Sequence, residues 1–117
     1  MRCSALELAK ILQQKQDDYK EKSKQFLENP SHNLIEQLFE IGSEIGDLRL
    51  KQAKLADMVY FHIRGEEYTL NEANIFVDLL KTIIRLQEQA GWNPSLSLLD
   101  EVTAKLDQAM MVEVELL

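Results

Sequence analysis

A chain of 117 residues with 45% hydrophobic and 28% charged side chains has the length and composition of one globular domain. Its net charge of −7 at pH 7 repels a phosphate backbone and so disfavours direct nucleic-acid binding. With only 4 Gly and 2 Pro, the chain is expected to form a few long elements rather than many short strands. We therefore predict a single all-helical domain over residues 1–117.

The single cysteine, Cys3, rules out an internal disulfide and a cysteine-based zinc site. Because it lies next to the N-terminus, it is predicted to be a surface thiol. The chain lacks the apolar core of a signal peptide, and no stretch approaches the length of a membrane span. These features predict a cytoplasmic protein that does not associate with membranes.

Helix 1 is predicted to begin after Ser4, because Ser4 and Glu7 have the spacing of a capping box. Apolar residues then recur at three- and four-residue spacings along one face. They are Ala5, Leu8, Leu12, Tyr19 and Phe26. Residues 13–24 are otherwise strongly polar, so this part of the helix is expected to project from the core, to fray or to pack against a second copy. Tyr19 and Phe26 are therefore candidate partner-binding residues.

Helix 2 is predicted to follow Asn29-Pro30, since proline disfavours helix in the residue before it and is tolerated at the start of a new helix. A heptad-like apolar seam then continues, and helix 2 is predicted to extend to Ile63. The seam consists of Leu34, Leu38, Ile41, Ile45, Leu48, Leu55 and Val59. Gly42 and Gly46 lie one turn apart beside it, and they predict either close packing of another backbone or a local kink.

Helix 3 is predicted over residues 70–90. Gly65 supplies a left-handed stop before it, and Thr69 with Glu72 has the spacing of a second capping box. Apolar side chains cover much of the circumference of this helix, so it is predicted to be the most buried one and the centre of the fold.

Helix 4 is predicted to begin near Asn93-Pro94, after Gly91 ends helix 3. Residues 110–117 are ambiguous because apolar and charged residues alternate there, as in a strand. We predict a frayed helical end, with a short strand or a partner-binding tail as alternatives. The candidate partner-binding residues of this segment are Met110, Met111, Val112, Val114 and Leu116.

Four helices joined by short connections are expected to place neighbouring helices antiparallel. The predicted architecture is therefore an antiparallel bundle of about four helices, either up-and-down or with helix 1 projecting from a three-helix core.

A row of carboxylates follows one face of helix 2, where Glu36, Glu40, Glu44 and Asp47 are spaced by four, four and three residues. Oxygen ligands of this kind can hold magnesium or manganese. Residues 43–48 resemble the E-x-x-D segment of the MazG-like all-α nucleotide pyrophosphohydrolases, and this resemblance implies a metal-dependent hydrolase that uses Glu40, Glu44 and Asp47. Helical spacing, however, places these carboxylates opposite the apolar seam, so we predict a solvated face that binds no metal or cofactor.

The common phosphate-binding and hydrolase motifs do not occur in the sequence. The functional prediction is therefore based on the amphipathic surfaces of the predicted helices. Helix 1, helix 3 and residues 110–117 all carry apolar side chains that need a cover. We predict a non-enzymatic helical interaction module, such as a small subunit, adaptor or inhibitor, that binds a protein partner or itself as a homodimer. An acidic mimic of nucleic acid, which binds a basic protein, is a further alternative.

Overall fold

The computed structural model describes residues 1–116, and this part of the chain forms four helices and two short antiparallel strand pairs. The predicted all-α class is therefore confirmed. In chain order the elements are β1 (Arg2–Cys3), α1 (Ala5–Glu28), α2 (His32–Met58), β2 (Tyr60–Ile63), β3 (Glu66–Thr69), α3 (Leu70–Gln89), α4 (Ser97–Ala109) and β4 (Val114–Glu115).

The starts of α1, α2 and α3 follow their local caps. The backbone N–H of Glu72 donates to Thr69 Oγ1 at 3.1 Å, and the Thr69 N–H donates to Glu72 Oε1 at 3.3 Å, so the capping box of α3 is complete. The Glu7 N–H donates to Ser4 Oγ at 3.2 Å at the start of α1. The Leu34 N–H donates to Ser31 Oγ at 3.1 Å at the start of α2. These side chains satisfy donors that the helices cannot pair themselves, and so they fix where α1, α2 and α3 begin. Helix α4 has no side-chain cap and begins at Ser97, later than the start predicted near Asn93-Pro94.

A β-hairpin replaces the predicted last turn of helix 2. The prediction that helix 2 continues to Ile63 is wrong, since α2 ends at Met58 and β2 pairs with β3. Residues 59–63 are β-branched, aromatic or histidine, which favours an extended backbone. Arg64 and Gly65 have φ values of 51° and 84°, and two successive positive φ values produce a tight hairpin turn. The hairpin connects α2 to α3.

The C-terminal segment forms a strand rather than the predicted frayed helix. β4 pairs antiparallel with β1, with Cys3 opposite Val114, and the Leu116 N–H donates to the Met1 carbonyl at 2.6 Å. Both Cys3 and Leu116 are buried. The prediction of a surface thiol is therefore also wrong, because the two ends of the described chain cover each other.

Burial raises the pKa of the Cys3 thiol above its ordinary value, and the nearby Glu7 carboxylate adds to this effect. Because the thiolate is the reactive form, Cys3 is expected to react slowly in the folded protein. We predict that Ellman's reagent at pH 8 labels Cys3 about tenfold or more slowly in the native protein than in guanidinium. Equal rates would contradict the burial of Cys3 in the core.

The core lies where the first half of α1, the second half of α2, the β-hairpin, the first half of α3 and α4 converge. Its most completely buried side chains include Leu8, Leu55, Ala73 and Val102. Away from this point, residues 13–40 and residues 78–89 contain no buried residue. Helix 1 thus extends beyond the core, as one of the predicted arrangements allowed, but the first part of α2 extends with it. Residues 13–40 are named here the α1–α2 arm.

The molecule is flat and elongated. Its principal extents are 56 × 39 × 15 Å, and its radius of gyration of 19.0 Å exceeds the value of about 13 Å that a compact chain of this length has. Its accessible surface is 8238 Å², compared with about 6,500 Å² for a compact monomer of the same mass. The α1–α2 arm and residues 78–89 therefore expose surface that a compact domain would bury.

Candidate interaction surfaces

Helix α3 has an apolar face that its own chain leaves uncovered. Ile75, Leu79, Ile83 and Leu86 are each between 51% and 60% exposed. Their spacing of four, four and three residues aligns them on one side of the helix. These four residues are named here the α3 stripe.

The α3 stripe lies away from the side of α3 that faces the core. With about 100° per residue, its centre is about 160° around the helix from that of the buried residues Leu70, Ala73 and Val77. The prediction that helix 3 is the most buried helix is therefore wrong, since only one of its two apolar sides is covered. The sequence indicates this uncovered side, because the apolar arc of helix 3 is wider than one packing face requires.

Tyr19, a predicted partner-binding residue, lies at a groove on the α1–α2 arm. The groove has a volume of about 540 Å³, and Tyr19, Gly42 and Ile45 line it together with polar side chains. A neighbouring groove of about 350 Å³ is lined by Ile35 and by the exposed Phe39. A methyl group at Gly42 would lie 3.8 Å from the Tyr19 ring, so Gly42 faces a side chain of α1.

Phe26, the other predicted partner-binding residue of helix 1, lies at the end of the same arm. It is half-buried and lines a shallow cavity of about 230 Å³ with Pro30, Ser31, His32 and Ile35. Phe26 therefore packs at the α1–α2 connection. Tyr19 and Phe26 follow one seam of the arm, separate from the α3 stripe.

The predicted residues of the C-terminal segment divide into two groups. Met110 and Val114 are half-buried against the core, and Leu116 is buried. The Leu6 N–H donates to the Met110 carbonyl at 2.9 Å, which ties this segment to α1. Met111 and Val112 are exposed, so these two residues are the part of the segment that a partner can reach without unfolding it.

The carboxylate row of α2 lies on a surface of mixed charge. Glu44 forms an ion pair with Lys15 of α1, and its hydrogen bond raises the pKa of Lys15. Glu44 and Asp47 line a cavity of about 230 Å³ that also contains Lys15 and Lys51, while Glu40 is exposed. Within residues 1–116, no three Asp, Glu, His or Cys side chains converge as metal ligands would. The metal-dependent hydrolase remains a sequence-based hypothesis.

No helix in residues 1–116 combines the length and the apolar content needed to cross a bilayer. No family model, curated protein sequence or solved structure matches this chain.

Proposed function

We propose that this chain is a non-enzymatic helical interaction module that self-associates as a homodimer. The observation that carries the proposal is the uncovered α3 stripe on a chain with excess exposed surface. Burying apolar surface stabilises a protein or a complex by about 25 cal/mol per Å² removed from water. A contiguous apolar stripe on a folded chain is therefore typical of a contact surface.

The amount of exposed surface supports an extensive interface. The chain exposes 8238 Å², about 1,700 Å² more than a compact monomer of its mass. Standard interfaces bury about 800 Å² per partner, and obligate homodimers about 1,000–2,500 Å² per subunit. The excess comes from the α1–α2 arm as well as from the α3 stripe, and it is larger than the area that one partner buries in a standard interface.

The composition of the α3 stripe favours a second copy over another kind of partner. All of its members are aliphatic, and homodimer interfaces are more apolar than transient ones. Identical chains that share one apolar patch can cover both patches by a two-fold arrangement, which is the commonest oligomer symmetry. The module can serve as a small subunit or adaptor once it is dimeric. A reducing compartment such as the cytoplasm suits its single unpaired thiol.

The concentration dependence of thermal unfolding tests this proposal. The free energy of unfolding of a homodimer rises by about 2.7 kcal/mol when the protein concentration rises a hundredfold. We therefore expect Tm to rise by about 5–10 °C between roughly 5 and 500 µM protein. The rise should persist in 0.5 M NaCl, because an apolar interface is not screened. A Tm that is independent of concentration would contradict self-association, and a rise that disappears in salt would indicate an electrostatic contact instead.

A further inference from the structure

Resting on the proposed self-association, we propose that two copies pack α3 against α3 in antiparallel directions about a two-fold axis. The α3 stripe of one copy covers the α3 stripe of the other. The axis passes near residue 81, midway along the stripe.

The spacing of the α3 stripe is self-complementary. The midpoint between Ile75 and Leu86 lies within one residue of the midpoint between Leu79 and Ile83. Reversing the helix therefore reproduces the stripe to within one residue. In the antiparallel pair, Ile75 meets Leu86 of the second copy and Leu79 meets Ile83 of the second copy. Two-fold symmetry requires such a self-complementary patch.

Charges beside the stripe fit the same register. Asp78 and Arg85 are exposed on one flank of α3, and neither forms an ion pair within residues 1–116. The midpoint between Asp78 and Arg85 also lies near residue 81. In an antiparallel pair of α3 helices, the flank of one helix that carries these charges faces the same flank of the other helix. Asp78 therefore lies beside Arg85 of the second copy, and the symmetry produces this ion pair twice. In a parallel pair each residue is level with its own equivalent, and the pairing of Asp78 with Arg85 is lost.

The packing of α4 leaves the α3 stripe accessible to a second copy. Helix α4 contacts α3 and contributes Val102 and Leu106 to the core, whereas its exposed residues Lys105 and Asp107 are charged. Two copies joined at the α3 stripes consequently place the two α3 helices side by side, with each α4 on the far side of its own α3. The apolar residues of the two stripes are then buried between the two α3 helices.

Cysteine cross-linking tests the antiparallel register. The variants Ile75→Cys and Leu86→Cys are unfolded together, refolded as a mixture and oxidised, and the disulfide products are weighed by mass spectrometry. We expect a mixed disulfide at about tenfold or more the yield of either same-variant product. In the antiparallel pair, equivalent positions at each end of the stripe lie about 16 Å apart, too far for a disulfide. The unmodified chain, whose single cysteine is buried, is the control.

The outcomes separate this proposal from the proposed function. If Tm rises with concentration but no mixed disulfide forms, the antiparallel α3 interface is overturned and self-association stands. If each variant cross-links to itself instead, the helices are parallel and the antiparallel register is overturned. If Tm is independent of concentration and no disulfide forms, both proposals are overturned.

A charge exchange supplies a second test of the register. Asp78→Arg places like charges together twice per dimer and is expected to raise the dimer Kd about tenfold. Adding Arg85→Asp should restore the original Kd, because each pair again contains opposite charges. The control Asp107→Arg reverses an exposed charge on α4 and should leave the dimer Kd unchanged. Failure of the second substitution to restore the dimer Kd would overturn the register.

Discussion

Replacing both Leu79 and Ile83 with glutamate is expected to abolish self-association and to leave a folded monomer. In the proposed dimer these substitutions place four carboxylates at the centre of an apolar interface. Burying an unpaired charge costs several kcal/mol, so we expect the dimer Kd to rise by about a thousandfold or more. Both side chains are exposed within a single chain, so the fold itself should tolerate the change. Sedimentation equilibrium measures the Kd, and circular dichroism measures the retained helix.

A matched control separates the loss of the interface from the added charge. Leu27→Glu with Leu50→Glu adds the same two charges to a leucine of α1 and a leucine of α2 that are 80% and 72% exposed. This control should retain the dimer Kd of the unmodified chain to within a few-fold. A dimer that survives the changes at Leu79 and Ile83, or that both variants abolish equally, would contradict a specific role for the α3 stripe.

The replacement Leu55→Ala is expected to lower the free energy of unfolding by about 2–5 kcal/mol. Leu55 is 0% exposed and lies in the core cluster, so truncating it removes apolar contacts and leaves a cavity. Domains are stable by only about 5–15 kcal/mol, and the core of this flat molecule is small. The loss is therefore expected to be a large fraction of the total stability. Urea unfolding at one fixed protein concentration measures it.

Leu50→Ala is the matched control for this substitution, because Leu50 lies on the same helix and is mostly exposed. It is expected to change the free energy of unfolding by less than about 0.5 kcal/mol. If the two variants lost similar stability, the placement of the core along the second half of α2 would be contradicted.

The starts of α1 and α3 could be predicted from the sequence because their signals are local. Ser4 and Thr69 each accept a hydrogen bond from a backbone three residues later, and this depends on a few neighbouring residues alone. The hairpin at residues 60–69 was missed for a related reason. Its residues fit the helical period as well as they fit a strand, and Gly65 fits a helix stop as well as it fits the turn that it forms with Arg64.

The strand at the C-terminus could not be predicted with the same certainty as the helix starts. The alternation of valine with charged residues favoured a strand, but a strand needs a partner. Here the partner is the segment that contains Cys3, more than a hundred residues earlier in the chain. No local pattern shows that the two segments meet, and the burial of Cys3 follows from the same long-range contact.

The candidate surface was only partly predictable. Periodicity shows that helix 3 is apolar around much of its circumference, but it does not show how many elements are available to cover that surface. Helices α1 and α2 pack along each other and extend beyond the core, so α3 receives its cover on one side only. The predicted surface residues Tyr19, Met111 and Val112 are exposed, whereas Leu116 is buried by the strand pairing.

Light scattering in 0.5 M NaCl measures the solution mass of the unmodified chain and so shows whether the chain binds a second copy. The chain mass is 13.5 kDa, and an apolar homodimer predicts twice this value at micromolar and higher concentrations. A mass of 13.5 kDa at every concentration up to the millimolar range would show that the α3 stripe does not bind a second copy, and would contradict the account.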